Sequence, residues 1–201
     1  CMLLGIIVSI AAFQKTSHLE IVFLDVGQGD ATLITTPNGR QVLIDAGAKN
    51  NLGSQLSSYV PTSDRSLDVV VMTHPDLDHI GGMVSILDRY DIDQIIHSGL
   101  LAGAPIYAAV VDRINQHQIP TITAEAGHVI KLDHDVYLEI YSPYPGFNSL
   151  EANEFSIIMR LVYDNTSVML PGDATTTNEY ELVDTYGSYH KSNILKEGHH
   201  G

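Results

Sequence analysis

The feature that most constrains this chain is Thr73-His74-Pro75-Asp76-Leu77-Asp78-His79-Ile80-Gly81-Gly82, with four metal-capable side chains in six positions. The apolar run Leu67-Asp68-Val69-Val70-Val71-Met72 precedes it. β-Branched residues bounded by turn formers predict a buried strand there. After it, Met83, Ile86 and Leu87 recur at helical spacing, predicting a helix over Ile80–Tyr90. The cluster therefore belongs in a loop between a strand and a helix. Open α/β folds bind ligands at the carboxyl ends of their strands, so chemistry is expected here. In an extended loop His74 and Asp76 point the same way. Asp78 and His79 are neighbours and diverge, an arrangement that serves two centres. A solvated helix N-terminus would explain Asp76 or Asp78 through capping and the helix dipole. It leaves the two flanking histidines unexplained, so metal binding is the reading that accounts for all four.

Thr-His-Pro-Asp-Leu-Asp-His resembles the His-x-His-x-Asp-His signature of the metallo-β-lactamase superfamily, with Asp76 in place of the second His. Phe23-Leu24-Asp25-Val26-Gly27-Gln28-Gly29-Asp30-Ala31 is similar to the opening of one branch, the competence proteins of the ComEC/Rec2 type. Leu43–Gly47, Leu170–Asp173 and Leu195–Gly201 match further blocks of that branch in order. The resemblance runs from about Leu19 to Gly201. It implies a four-layer αββα sandwich of class α/β, incomplete at its C-terminus. In that reading residues 18–201 form the hydrolase domain, and residues 1–17 are the end of a transmembrane or signal-type segment.

Composition is compatible with this. The chain has 201 residues, 44% of them hydrophobic, enough for one domain with a substantial core. The formal charge is -14, from 24 acidic residues against 10 Lys and Arg. That argues against a broad basic face for nucleic acid, although bound metal ions can supply local positive charge. The single cysteine, Cys1, excludes an internal disulfide and a thiolate metal site. The stretch Met2–Phe13 is apolar and uncharged but shorter than the ~20 residues that span a bilayer.

The rest of the chain alternates strands and helices. Leu19–Asp25 and Ala31–Thr36 predict a hairpin, Gln41–Asp45 a strand, and Leu52–Tyr59 a short helix. Ile92–His97, Ala104–Gln116 and Ile119–Thr123 continue as strand, helix and strand. Val129–Leu132 and Val136–Ser142 predict antiparallel strands. Tyr141–Phe147 is an aromatic loop, either a platform on which bases stack or an ordinary packed turn. Ile157–Tyr163, Ser167–Leu170 and Lys191–Leu195 complete the strands, and Thr175–Tyr186 is a helix.

The resemblance assigns further roles. Asp45 would orient the metal loop. Asp173 would bridge two ions and act in catalysis beside Asp78. His199 would complete the second site and His200 would contact substrate, although the His-His pair does not fix which is which. The ligand set is then His74, Asp76, Asp78, His79, Asp173 and His199. Gln28 and Asp30 would line the site. Asn153 stands where many superfamily members have a third histidine, and its role is left between metal, substrate and strand cap. The remaining histidines outside residues 199–200 and the loop (His18, His97, His117, His128, His134 and His190) show no ligand spacing.

Carboxylates mixed with imidazoles make a hard site, so two divalent ions are expected, Mn²⁺ or Zn²⁺. Such a pair activates water and clamps a leaving oxygen. No Gly-x-Ser-x-Gly elbow or cysteine nucleophile competes. The expected function is a metal-dependent phosphodiesterase, a nuclease acting on DNA at the membrane during uptake. Its catalytic domain would be extracytoplasmic, with the N-terminal apolar segment in the membrane. Two alternatives stand beside it: hydrolysis of a small phosphodiester or ester such as a phosphocholine or cell-wall substrate, or a non-catalytic channel-associated domain.

Overall fold

A computed structural model describes residues 18–49, 51–60, 64–147, 149 and 151–199. The apolar segment over residues 1–17 and His200 lie outside the described residues. No helix among the described residues is long and apolar enough to cross a membrane.

The strands form two sheets. In the first, β1 (Glu20–Phe23), β2 (Thr32–Thr35) and β3 (Gln41–Ile44) pair antiparallel. β3 then runs parallel to β4 (Ser66–Met72), β4 to β5 (Asp91–His97), and β5 to β6 (Thr121–Thr123). In the second, β7 (Val129–Asp133), β8 (Val136–Ser142), β9 (Ile158–Tyr163) and β10 (Thr166–Leu170) make an antiparallel meander. The short β11 (Ile194–Leu195) adds parallel to β10.

Burial on both faces explains why apolar residues stand side by side in β2 (Leu33-Ile34), β3 (Val42–Ile44) and β4 (Val69–Met72), since sheets covered on both faces lack the polar alternation of half-exposed ones. On β2, Leu33 faces one core and Ile34 the other; on β3, Leu43 is opposed to Val42 and Ile44. The outer core packs Leu33, Leu43 and Val70 against α1 (Leu52–Leu56), α2 (Leu77–Ile80), α3 (Met83–Leu87) and α4 (Pro105–His117). The inner core joins Ile34, Ile44 and Val71 to Leu138, Met159 and Leu161 of the second sheet. A third cluster packs Tyr141, Ile158 and Met169 on Leu182 of α5 (Thr176–Tyr186). Helices, sheet, sheet and helix make the four αββα layers.

The helix after the metal loop differs from the sequence reading. The predicted helix over Ile80–Tyr90 is two short helices, α2 and α3, separated by Gly81 and Gly82. A Cβ on Gly81 would stand 2.4 Å from the Ala48 carbonyl oxygen, and one on Gly82 2.3 Å from that of Ala46. The glycines let the helix start lie directly on the loop after β3, and a regular helix cannot follow that path. Of the two readings of the aromatic loop, packing is the one seen in its ring contacts. Tyr141 is buried edge-on to Tyr186, with ring centroids 4.7 Å apart, and donates its hydroxyl to Glu139. Phe147 packs on Phe155.

Candidate metal centre

The loops that follow β3 and β4 at their carboxyl ends are stacked on each other. Asp45 ends β3 with φ of 57°, a left-handed conformation that aspartate tolerates better than most residues. This turns its carboxylate, 1% exposed, under the metal loop. Asp45 Oδ1 accepts the Thr73 backbone N–H at 2.9 Å. Asp45 Oδ2 accepts the Thr73 hydroxyl at 2.6 Å and lies 2.7 Å from His79 Nδ1. Ala46 N–H donates to the His79 carbonyl and Gly82 N–H to that of Gly47. From the other side, Asp30 N–H donates to the Asp78 carbonyl at 3.3 Å, and Gly29 packs so tightly there that a Cβ would lie 1.7 Å from the same oxygen.

These contacts fix the tautomers. A carboxylate only accepts, so the Thr73 hydroxyl hydrogen is committed to Asp45 and its lone pairs are left for His74 Nδ1, 3.0 Å away. His74 therefore carries hydrogen on Nδ1, as does His79 facing Asp45. Both imidazoles present Nε2 to the same point. This is the way metal-binding histidines are held, with the second nitrogen donating to a carboxylate or another acceptor.

That point is occupied by Asp173, at the end of β10. One ligand atom each from His74, His79 and Asp173 lie within 4.8 Å of one another, and all three residues are buried. The two carboxylate oxygens divide between them. Asp173 Oδ1 is 3.2 Å from His79 Nε2, whereas Oδ2 is 3.9 Å from His74 Nε2 and 3.9 Å from His199 Nε2. Asp76 Oδ2 lies 3.8 Å from His74 Nε2, and its side chain is 46% exposed at the mouth. A divalent cation fits this donor set. His74 Nε2 is buried with no hydrogen-bond partner, a costly state for a polar atom unless it is a ligand.

Burial pulls the His74 pKa down, helped by the neighbouring charge on His79. For His79, burial works in the same direction, but Asp45 and Asp173 outweigh it and raise its pKa to about 10. In the metal-free chain the proton thus resides on His79, between two carboxylates, and His74 stays neutral.

The structure brings His74, His79, Asp173, Asp76 and His199 together. Asp78, on α2, is half-buried beside them and accepts a hydrogen bond from Gln28 Nε2 at 3.3 Å. Asp30 pairs with Lys196 at 2.6 Å, beside Asp45 and Thr73. Asn153 opens a 3₁₀ turn, Asn153–Phe155, that delivers Ser156 to the centre. Ser156 and Thr73 carry contacts that the sequence reading did not assign. The fully buried Ser156 hydroxyl accepts the Asp173 N–H at 3.2 Å and lies 3.3 Å from His74 Nδ1. The signal was the position of Ser156 just before a strand, three residues after Asn153. Thr73 was visible only as the residue preceding His74.

Comparison with known proteins agrees with this geometry. The chain is 23% identical over 203 residues to ComE operon protein 3 of Bacillus subtilis, covering 92% of this chain and 26% of that one. It is 30% identical over 186 residues to Recombination protein 2 of Haemophilus influenzae, covering 90% and 21%. The chain thus spans about a quarter of the length of these relatives. Among solved structures, a putative metallo-beta-lactamase from Thermotoga maritima superposes with a TM-score of 0.57 at 13% identity, covering 89% of this chain and 95% of that one. The family model of the metallo-beta-lactamase superfamily matches residues 24–146, more than half of the chain. With its helices and sheets layered in that same order around a buried His and Asp cluster, the chain belongs to the metallo-beta-lactamase superfamily.

Proposed function

We propose that the chain is a metal-dependent phosphodiesterase, a nuclease domain that acts on DNA during uptake at a membrane. The observation that carries the reading is Asp173, whose two oxygens face different imidazoles. A carboxylate divided in this way suits two neighbouring cations. The ligands would be His74, Asp76 and Asp173 on one side, and Asp78, His79, Asp173 and His199 on the other. Divalent ions held there would supply Lewis acidity toward a phosphoryl oxygen and make water more acidic, with Mn²⁺ or Zn²⁺ as the candidates.

The chain's own residues do the rest. Asp45 and Thr73 keep both Nε2 atoms directed at the centre. Asp78, half-buried and hydrogen-bonded by Gln28, would take a proton from attacking water. His200 would contact the substrate. The DNA assignment is supported by relatives named for competence and recombination. Placement at a membrane, with this domain outside the cytoplasm, rests on the apolar stretch Met2–Phe13 and on the competence resemblance.

One observation favours a second reading, hydrolysis of a small phosphodiester or ester. The chain carries a formal charge of -14, and Lys196, close to the centre, is committed to Asp30. A small substrate needs no basic track. The test incubates the chain with linear DNA, and separately with a bis-aryl phosphodiester, in Mn²⁺, in Zn²⁺ and in chelator. Metal-dependent DNA cleavage that Asp78→Ala and Asp173→Ala abolish is the expected result. Cleavage that both variants retain refutes the site, and cleavage of the small ester alone transfers the function to the second reading.

A further inference from the structure

Lys196 directly follows β11 of the second sheet, and Asp30 lies in the β1–β2 connection of the first. Their side chains meet at 2.6 Å and are largely buried, 17% and 13% exposed. The contact lies at the open end of the inner core, beside Asp45, Thr73 and Gly172. Four of the chain's ten cations form ion pairs with carboxylates at 4 Å or less among the described residues: Arg40 with Asp68, Arg113 with Asp88, Arg160 with Glu139, and Lys196 with Asp30. Of these, only the Lys196 pair has partners that are both directly tied to loops of the metal centre.

The backbones of the two residues give the pair its meaning. Asp30 N–H donates to the Asp78 carbonyl, and the Asp30 carbonyl accepts from Gly47 N–H in the loop after Asp45. Lys196 N–H donates to the Met169 carbonyl, and three residues later His199 N–H donates to the Gly172 carbonyl, next to Asp173. The Lys196 ammonium also donates to the Glu197 carbonyl, which fixes the start of the His199 segment.

We infer that the Lys196–Asp30 pair is a cross-brace that couples the two flanks of the metal centre. It joins the Asp78 side, carried by the first sheet, to the His199 side, carried by the second. Both are positioning residues, because they act through backbone bonds to the loops that carry Asp78, Asp173 and His199. A partly buried pair suits this role. Breaking it leaves an uncompensated charge and is costly, whereas removing both charges together is much milder.

The inference stands on the brace geometry, and only its second readout rests on the metal-site reading above. The first readout is amide hydrogen exchange in the metal-free chain, comparing wild type, Lys196→Met, Lys196→Arg and Asp30→Asn/Lys196→Met. Arg40→Gln, which breaks a more exposed ion pair, is the control. In Lys196→Met the amides of Asp30, Gly47, Lys196 and His199 should exchange faster together, by about tenfold, a mid-range coupling between contacting residues. Lys196→Arg should keep wild-type exchange, and Arg40→Gln should leave all four amides unchanged. Faster exchange at Lys196 and His199 alone overturns the inference, as does a uniform rise across every amide. If Lys196→Met does not fold, the double variant decides by the same four amides. The second readout is Zn²⁺ binding by calorimetry, where loss of the brace should weaken affinity by about 10-fold or more, the usual scale for outer-shell partners. Unchanged Zn²⁺ affinity in Lys196→Met, with wild-type binding intact, also overturns it. A wild-type chain that binds no Zn²⁺ and no Mn²⁺ retires the metal reading instead and leaves exchange to decide the brace.

Discussion

Asp45→Asn is a substitution of one atom that the geometry makes expensive. The carboxylate takes three hydrogen bonds, all buried: Thr73 N–H on Oδ1, and the Thr73 hydroxyl and His79 Nδ1 on Oδ2. An amide has only one accepting oxygen. If that oxygen replaces Oδ2, the new NH₂ faces the Thr73 N–H, donor against donor. If it replaces Oδ1, the NH₂ faces both the Thr73 hydroxyl and His79 Nδ1. The hydroxyl must then donate to His74 and His79 must accept, so both rings shift hydrogen onto Nε2 and lose their lone pairs toward Asp173. The first orientation is the cheaper one. It strands one buried donor, at about 1–3 kcal/mol, and makes two charge-assisted bonds neutral, at about 1 kcal/mol each. Relief from burying a carboxylate offsets part of this, leaving a net loss of about 2–4 kcal/mol. For a chain of this size that lowers Tm by about 4–15 °C. Metal affinity should fall by about 10- to 100-fold, because the acceptor that makes His79 a strong ligand has lost its charge. The assays are thermal unfolding in chelator and Zn²⁺ titration against a competing chelator. An Asp45→Asn chain that binds Zn²⁺ within twofold of wild type refutes the orienting role.

Four other outcomes follow from contacts in and around the site. His79, with its pKa raised to about 10, gives up a proton when a metal takes Nε2, so apparent affinity should rise by about tenfold per pH unit between pH 7 and 9. Calorimetry in buffers of different ionisation enthalpy should find about one proton released, and a pH-independent affinity would refute it. In the metal-free chain the same shift stabilises fully below the unfolded pKa of 6.5 and is lost as pH rises toward 10, so urea unfolding should find lower stability at pH 9.5 than at pH 6.5. Gly29→Ala and Gly27→Ala separate strain from collision. Both sites have positive φ, worth about 1–3 kcal/mol of strain, but only a Cβ at 29 meets the Asp78 carbonyl, so only Gly29→Ala should also lower metal affinity. Asp133 ties the β2–β3 turn to the second sheet through Asn38. Although burial works against it, hydrogen bonds from Asn38, Thr36 and the His134 N–H hold its pKa below the usual range. Its contribution is present above the unfolded pKa and lost as pH falls, so Asp133→Ala should be less stable than wild type at pH 6, with the gap closing in acid.

Much of the fold was legible because its signals are local. Buried strands such as Val69–Val71 and Ile157–Tyr163 announce themselves by composition, and α4 by apolar spacing with Pro105 at its first turn. The metal loop was legible because four ligand types fall within six residues. What local pattern does not carry is long-range fit. The break at Gly81 and Gly82 exists because the helix start must lie on the carbonyls of Ala46 and Ala48, more than thirty residues upstream. Ser156 escaped for the same reason. A serine before a strand is ordinary, and its value comes from Asp173 and His74 arriving from elsewhere. The pairing of Asp30 with Lys196 was not legible either, since the two lie 166 residues apart in the chain.

The candidate centre belongs to neither sheet. His74 and His79 come from the first, Asp173 and His199 from the second, and the join is made by backbone. Ile157 N–H donates to the Thr73 carbonyl at 3.0 Å, and Gly172 fits between Thr73 and Ser156 with φ of 58°. The first half brings the imidazoles of His74 and His79 with the carboxylates of Asp76 and Asp78, and the second brings Asp173, the carboxylate that faces both imidazoles, with His199. The full donor set exists only once the inner core has closed. Metal affinity in this chain is therefore also a measure of how firmly the two sheets are held together. A substitution such as Met159→Ala, in the inner core, should weaken binding by loosening that closure, because a ligand that binds only the closed form is linked to its population.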